Sequence, residues 1–436
     1  TVGSGTPACI LKVNPNSHGI GIFDFGSIFD NYVSPDYEGG LALTGGNLST
    51  STYNGVVYTQ STPHSIHQID EYSTNRNSVR YFSIKFYSEW ASAITEPVIV
   101  DHSQEIESGR HIIFNGYLDY TDVLSQVAFA SFGGYGYDFD YHDWIMKMKE
   151  DKFLTYSPTK QYIRQDDFHT MAFFNNLTIS NSGYAIAPST SHQVVIKIFI
   201  SFFYNGVNVA NINSNNTITT GGYNQSVADS NTHIVYVGVG PANFAGAPFA
   251  GSVPANWDYY TIVAFDAIGE EMSKTYEFHQ QYDDCKGYET IRLTWLNKWG
   301  TWDYYNFTKK SIRTINKKPL TYHNLEGTWN EGMYNLYGHK GGKKVLNNVA
   351  NEEITVNSDW LTDEESIWLE QLFTSSDVFI LNKNDLNDLT QGYVRKYLEP
   401  VLVKSTTNIR KTKANDKMVQ YSIDLEKSKV KRTHRI

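Results

Sequence analysis

Short segments in which apolar and polar residues alternate with a period of two recur along this chain, separated by Gly, Pro and Asn. Val79 to Tyr87 puts Phe82, Ile84 and Phe86 on one side. Ile291, Leu293 and Trp295 alternate with Arg292 and Thr294, and Val419, Tyr421, Ile423 and Leu425 alternate with Gln420, Ser422 and Asp424. Successive side chains of a strand point to opposite faces, so this pattern describes strands with one buried and one wet face. The 31 Tyr, 23 Phe and 9 Trp agree with it, because aromatic residues suit pleated surfaces. The expected fold class is mainly β, with tandem β-sandwich-like domains and a few short helices.

One hydrophobic core serves at most about 250–300 residues, so 436 residues divide into domains. Residues 1–132 read as an N-terminal β domain with a Gly/Ser-rich loop at 41–62, an exposed loop or hairpin arm. Residues 133–270 read as a middle β domain. It holds a short helix near 143–152, where Trp144, Ile145, Met148 and Phe153 recur near helical spacing. Its most strand-like stretch is Val194 to Tyr204. There Ile196, Ile198, Ile200 and Phe202 face one way and Val195, Phe199 and Phe203 the other, as in a core strand covered on both faces.

Residues 271–436 read as a C-terminal β domain with a hairpin at 288–307, a helix at 362–373 and a basic tail at 404–436. The hairpin turns at Asn297 to Gly300 and carries Trp295, Trp299 and Trp302, packed inward. The helix opens with a capping box, in which the Thr362 hydroxyl takes a free amide and the Glu365 carboxylate reaches back. Ile367, Trp368, Leu369, Leu372 and Phe373 form its apolar side.

Only Cys9 and Cys285 occur, which leaves no disulfide framework or cysteine zinc site and reads as two buried free thiols. No run of about 18 apolar residues exists, so membrane insertion is not expected, and the residues from Thr1 on lack the charged and apolar pattern of a cleavable leader, so no signal peptide is expected in them. The formal net charge is −10, yet residues 404–436 carry ten Lys or Arg against three Asp or Glu. A basic end on an acidic body can bind nucleic acid. It can equally meet a complementary surface on an identical subunit, and that reading comes first here. Lys411, Lys413, Lys427, Lys429, Lys431, Arg432 and Arg435 are the candidate interface residues.

Asp138, Asp140, His142 and Asp143 crowd into six residues and offer oxygen and imidazole ligands to a divalent cation. The glycine and terminal glutamate of an EF-hand are missing, and a polar turn among aromatics explains them as well. His64, His67 and Asp70 form H-x-x-H-x-x-D in a non-helical segment, where the spacing does not align the two rings, so loop histidines are expected. Gly238, Gly240 and Asn243 follow a strand, but Pro241 and its successors give a pyrophosphate no helix N-terminus. Gly338 to Lys343 is one residue short of a phosphate loop. No nucleophile elbow or Cys–His signature appears. Asp166 with Asp167, or Asp283 with Asp284, could flank a glycosidic bond, but adjacent strand residues diverge and solvated loop acids are expected. Tyr135, Tyr137, Tyr141, Tyr259 and Tyr260 are candidates for stacking on sugars, a use that competes with core and interface packing. No catalytic residue and no cofactor is expected.

Several segments together resemble a group of virion structural proteins of tailed bacteriophages. They are LKVNPNSHGIGIFDFGSIFDNYV (Leu11 to Val33), KFLTYSPTKQYI (Lys152 to Ile163), RLTWLNKWGTWDYYNF (Arg292 to Phe307), WLTDEESIWLEQLFTSSDVFIL, YLEPVLVKS and KMVQYSIDLEKS. They run in order from Leu11 to beyond Leu425, and the insert at 41–62 departs from the pattern. The resemblance implies a non-enzymatic β-sandwich subunit of a tail, tail ring or baseplate, located in the virion. Its partners would be copies of itself, other tail proteins and, as the alternative, host surface glycan.

Overall fold

The computed structural model describes residues 9–37, 50–53, 56–59, 65–69, 72–74, 78–93, 95–118, 146, 148–174, 195–216, 234–244, 253–282, 287–328, 332–382, 397–404, 419–429 and 431. They are mainly β and fall into two compact units. The first comprises 1–281 with 296–303, and the second 282–295 with 304–436.

The first unit contains the helical turn α1 (Gly26–Phe29) and strands β1 (Thr50–Tyr53), β2 (Val56–Thr59), β3 (Tyr72–Thr74), β4 (Val79–Trp90), β5 (Ile99–Phe114) and β6 (Lys160–Ile163). It continues with β7 (Thr170–Phe174), β8 (Lys197–Tyr204), β9 (Val207–Asn215), β10 (Ile234–Gly238), β11 (Tyr259–Phe265) and β12 (Tyr276–Gln280). A three-stranded sheet, β3-β10-β7, and a five-stranded sheet, β6-β12-β11-β8-β9, share one apolar core. Tyr72, Met171, Phe173, Val235 and Val237 enter it from the small sheet, and Ile198, Ile200, Phe202, Tyr260 and Phe278 from the large one. This is a sandwich, as the alternating sequence pattern requires.

Two tyrosines tie the layers together. The Tyr72 hydroxyl donates to the Ser214 carbonyl at 2.7 Å and accepts from the Ile198 amide at 3.0 Å. Tyr260 donates to the Val239 carbonyl at 2.9 Å. Burial raises the Tyr72 pKa above its ordinary value, so the group stays a neutral bridge.

Three expectations change here. The boundary at 132/133 does not divide the packing, because β3 pairs with β10, and Tyr72 and Met146 belong to one core. Strand pairing over such sequence distances leaves no local mark. Of the helix near 143–152, the described part is a turn at 148–150, in which the Met148 amide donates to the Asp151 carboxylate at 2.9 Å. A local aspartate bond competes with helix there. In β8, Ile198, Ile200 and Phe202 are fully buried, but Lys197, Phe199 and Phe203 are only half-buried. The large sheet therefore keeps one partly wet face.

The second unit holds β13 (Ile291–Leu296), β14 (Trp302–Phe307), β15 (Ile312–Asn324), β16 (Gly342–Asn357), β17 (Val378–Leu381), β18 (Leu398–Val403) and β19 (Ser422–Lys427). They form one sheet in the order β14-β13-β17-β18-β19-β16-β15. The helix α2 (Asp363–Thr374) packs on it, with Trp368 against Trp295 at 5.3 Å and Ser366 hydrogen-bonded to the Tyr421 hydroxyl at 2.7 Å. Trp368, Leu369 and Leu372 are buried as the sequence predicts, whereas Ile367 is exposed and Phe373 half-buried.

The hairpin of β13 and β14 forms where expected, and Trp295, Trp299 and Trp302 are all buried. Its turn, 296–303, belongs to the first unit. There Asn297 accepts from the Trp299 and Thr301 amides at 2.9 and 3.2 Å and donates to the Leu154 carbonyl at 2.9 Å. Gly300 sits at φ +71°, and a Cβ on it would collide with the Asn115 carbonyl. Only glycine fits.

Both halves of the capping box are present: the Glu365 amide donates to the Thr362 hydroxyl at 3.3 Å, and the Thr362 amide to the Glu365 carboxylate at 2.8 Å. Replacing an N-cap threonine typically costs about 1 kcal/mol. Thr362→Ala is therefore expected to lower the unfolding free energy of the second unit by that amount in urea titration, without changing the slope.

Candidate functional site

Among the described residues, hydroxyl, imidazole and carboxylate side chains come together around a small cavity. Thr155, Ser157, His169 and Asp303 line a cavity of about 10 Å³ in the first unit, room for at most one water. The Thr155 hydroxyl donates to Asp303 at 2.6 Å and accepts from the Ser157 amide at 2.9 Å. Gln161, not His169, pairs with the Ser157 hydroxyl, at 2.9 Å. His169 stands edge-on to Phe278, ring centroids 5.0 Å apart. The Ser157 hydroxyl is thus engaged by Gln161 and the His169 ring by Phe278. Among the described residues, no three His, Cys, Asp or Glu side chains gather as metal ligands, and no helix is long and apolar enough to cross a membrane.

The glycines of the Gly238–Asn243 segment have a packing role. A Cβ on Gly238 would strike the Ile69 carbonyl, and one on Gly240 would come within 2.5 Å of the His169 nitrogen. Asn243, 1 % exposed, accepts from the His169 and Gly240 amides at 2.9 and 3.0 Å and donates to the His67 and Ile69 carbonyls. One side chain thus satisfies four backbone groups from three separate stretches of chain. A nucleotide would find this backbone already occupied.

The acids and histidine differ from expectation. Asp167 is buried, not solvated: its carboxylate takes the Arg164 guanidinium at 2.8 Å and the Arg164 amide at 3.0 Å. Asp166 faces solvent, so the two do not form a catalytic pair. Asp283 and Asp284 lie outside the described residues. His67 is buried against Trp302, with ring centroids 4.9 Å apart, rather than in an open loop. Cys9 is exposed, contrary to the buried thiol expected, and Cys285 lies outside the described residues.

Of the sugar-stacking candidates, Tyr135, Tyr137 and Tyr141 lie outside the described residues, as do the ligand candidates Asp138, Asp140, His142 and Asp143. Tyr260 is fully buried in the core and cannot meet a ligand. Tyr259 stands on the outer face of the large sheet, stacked between Phe203 at 4.8 Å and His279 at 5.2 Å, with interplanar angles of 7° and 20°. These spacings are those of neighbouring strands, so the rings stand like plates across the sheet. Both Tyr259 faces are covered, and a sugar needs an open one.

Of the basic-tail candidates, Lys411, Lys413, Arg432 and Arg435 lie outside the described residues, while Lys429 and Lys431 are exposed. Lys427 is engaged within its own unit, 3.2 Å from both Glu352 and Glu399. Its neighbour Lys404 lies between Glu353 and Glu426. The hydrogen bond from Lys404 holds the Glu353 pKa below the usual carboxylate value. Part of the basic tail thus neutralises its own sheet.

Two long ribbons were not anticipated. Among the described residues, β4 and β5 pair only with each other. Phe23, Phe29 and Tyr32 of the N-terminal segment pack on Phe82 and Phe86, and Lys12 reaches Glu89 at 2.7 Å, yet Trp90 is 52 % and Ile106 67 % exposed. β15 pairs with β16 over its whole length, whereas β19 reaches only Glu353 to Asn357 of β16. The rest projects as a two-stranded arm with Leu320 59 %, Met333 77 % and Tyr334 66 % exposed. Alternation along β4 signals a strand equally well in a sandwich or a ribbon, so the sequence could not distinguish them.

Comparison of the chain with models of known protein families, with curated proteins and with solved structures finds no match to any of them.

Asn243→Ala would leave up to three buried backbone groups without partners, since the Gly240 amide keeps the His169 carbonyl at 3.1 Å, at about 1–3 kcal/mol for each group left unsatisfied. The variant is expected to lose at least about 2 kcal/mol of stability, read by chemical denaturation of the first unit. Loss of less than 0.5 kcal/mol would show that water replaces the amide.

Proposed function

We propose that this protein is a structural subunit of a tailed-bacteriophage virion, in the tail, a tail ring or the baseplate, and that it works by assembling with its own copies and with neighbouring tail proteins. The reading rests first on the ordered resemblance of six segments to such proteins. The observation that carries it is the pair of two-stranded ribbons, whose large apolar side chains stand in water. Contiguous exposed apolar surface on a folded protein marks an interaction site, and an oligomer completes contacts that one subunit leaves open.

Catalysis has no comparable support, since the converging polar groups described above are spent on backbone and core. The test is molar mass by light scattering over a hundredfold concentration range, with negative-stain images of the same samples. The expected outcome is a multimer that grows with concentration and forms rings or sheets. A strictly monomeric chain at every concentration, also in the presence of its virion neighbours, contradicts the proposal.

A further inference from the structure

The two exposed ribbons differ in charge. Residues 312–357, the β15–β16 pair with its connection, carry six Lys or Arg against four Glu, and Lys317, Lys318, Lys343 and Lys344 cluster on facing stretches of the two strands. Residues 79–114, the β4–β5 ribbon, carry three Lys or Arg against five Asp or Glu, and Glu89, Glu96 and Asp101 lie together at the end where β4 turns into β5. Both are two-stranded and antiparallel; β15 and β16 have 13 and 16 residues, of which the arm is the part beyond the pairing with β19, and β4 and β5 have 12 and 16. Two such ribbons can stack face to face, as sheets do at about 10 Å.

Resting on the assembly reading above, we propose that the basic β15–β16 arm of one copy docks on the acidic β4–β5 ribbon of the next copy. The side chains beside the charges favour a protein surface over a polyanion. Ile315, Leu320, Leu346 and Val349 are exposed among the lysines of the arm; a nucleic acid or anionic glycan would leave them in water. Trp90, Ile99 and Ile106 of the acidic ribbon are exposed too and supply apolar surface that would cover Leu320 and Val349, which share one face of the arm with Lys318.

The acidic ribbon is partly neutralised within its own chain, by Lys12 on Glu89 at 2.7 Å and Lys85 on Glu105 at 2.8 Å. Exposed pairs of this kind are worth about 0–1 kcal/mol, so they exchange readily for intermolecular ones. Because the two surfaces are different parts of one chain, the contact is head to tail. It closes into a ring or runs on as a filament.

The test uses two charge-reversed chains. One carries Lys317→Glu, Lys318→Glu, Lys343→Glu and Lys344→Glu; the other carries Glu89→Lys, Glu96→Lys and Asp101→Lys. Each alone is expected to need at least about tenfold higher concentration than wild type to assemble, as like charges meet across the contact. Mixed in equal amounts they are expected to co-assemble near the wild-type concentration, because every arm then faces a ribbon of opposite charge. That recovery also shows that both variants are folded.

Arm-reversed chains that assemble like wild type overturn the inference and leave the assembly reading standing. The same holds if they assemble normally but lose retention on heparin, which would make the arm a polyanion site. Reversed chains that fail alone and fail when mixed overturn it as well. A wild-type chain that never assembles overturns both readings.

Discussion

A two-stranded β-ribbon cannot bury its own side chains. It has no third strand and no facing layer, and in isolation such a hairpin is marginally stable at best. Two layered cores are closed in this chain. The first unit stacks a small sheet on a large one, with Tyr72 and Tyr260 bonding across the core. The second lays α2 on a seven-stranded sheet. Against these filled cores, the β4–β5 ribbon and the β15–β16 arm leave Trp90, Ile106, Leu320 and Met333 in solvent. The functional account follows from that contrast.

Local chemistry was legible in the sequence. The Thr362 capping box, the hairpin around Asn297 and the strand alternation at 419–425 each depend on residues a few positions apart, and each appears where expected. What could not be read depends on distant partners. Three residues, Tyr72 to Thr74, suffice for β3 only because β10 runs beside them. The shared core therefore crosses the boundary that composition placed at 132/133. The alternation at Val79 to Tyr87 correctly marks a strand but is silent about whether a second layer covers it.

The candidate chemistry misled in the same way. Asp167 resembles a surface acid until Arg164 is seen folding back on it. Gly238, Gly240 and Asn243 imitate a phosphate-binding turn, but the spacing serves close backbone approach and a four-way amide hub. Tyr259 resembles a sugar platform until Phe203 and His279 are placed against its two faces. In each case the residue type was read correctly, and its partner, supplied by another strand or turn, decided the use. The described polar groups bond within their own units, while the two long ribbons keep large apolar side chains exposed.

The most direct measurement is amide hydrogen exchange on the wild-type chain, compared between a dilute monomeric sample and an assembled one. If the ribbons are assembly elements, protection rises in 79–114 and 312–357, while the amides of the first unit's sandwich core, already slow, stay unchanged. Equal exchange of both ribbons in the two samples, with new protection confined to other surfaces, would contradict the account.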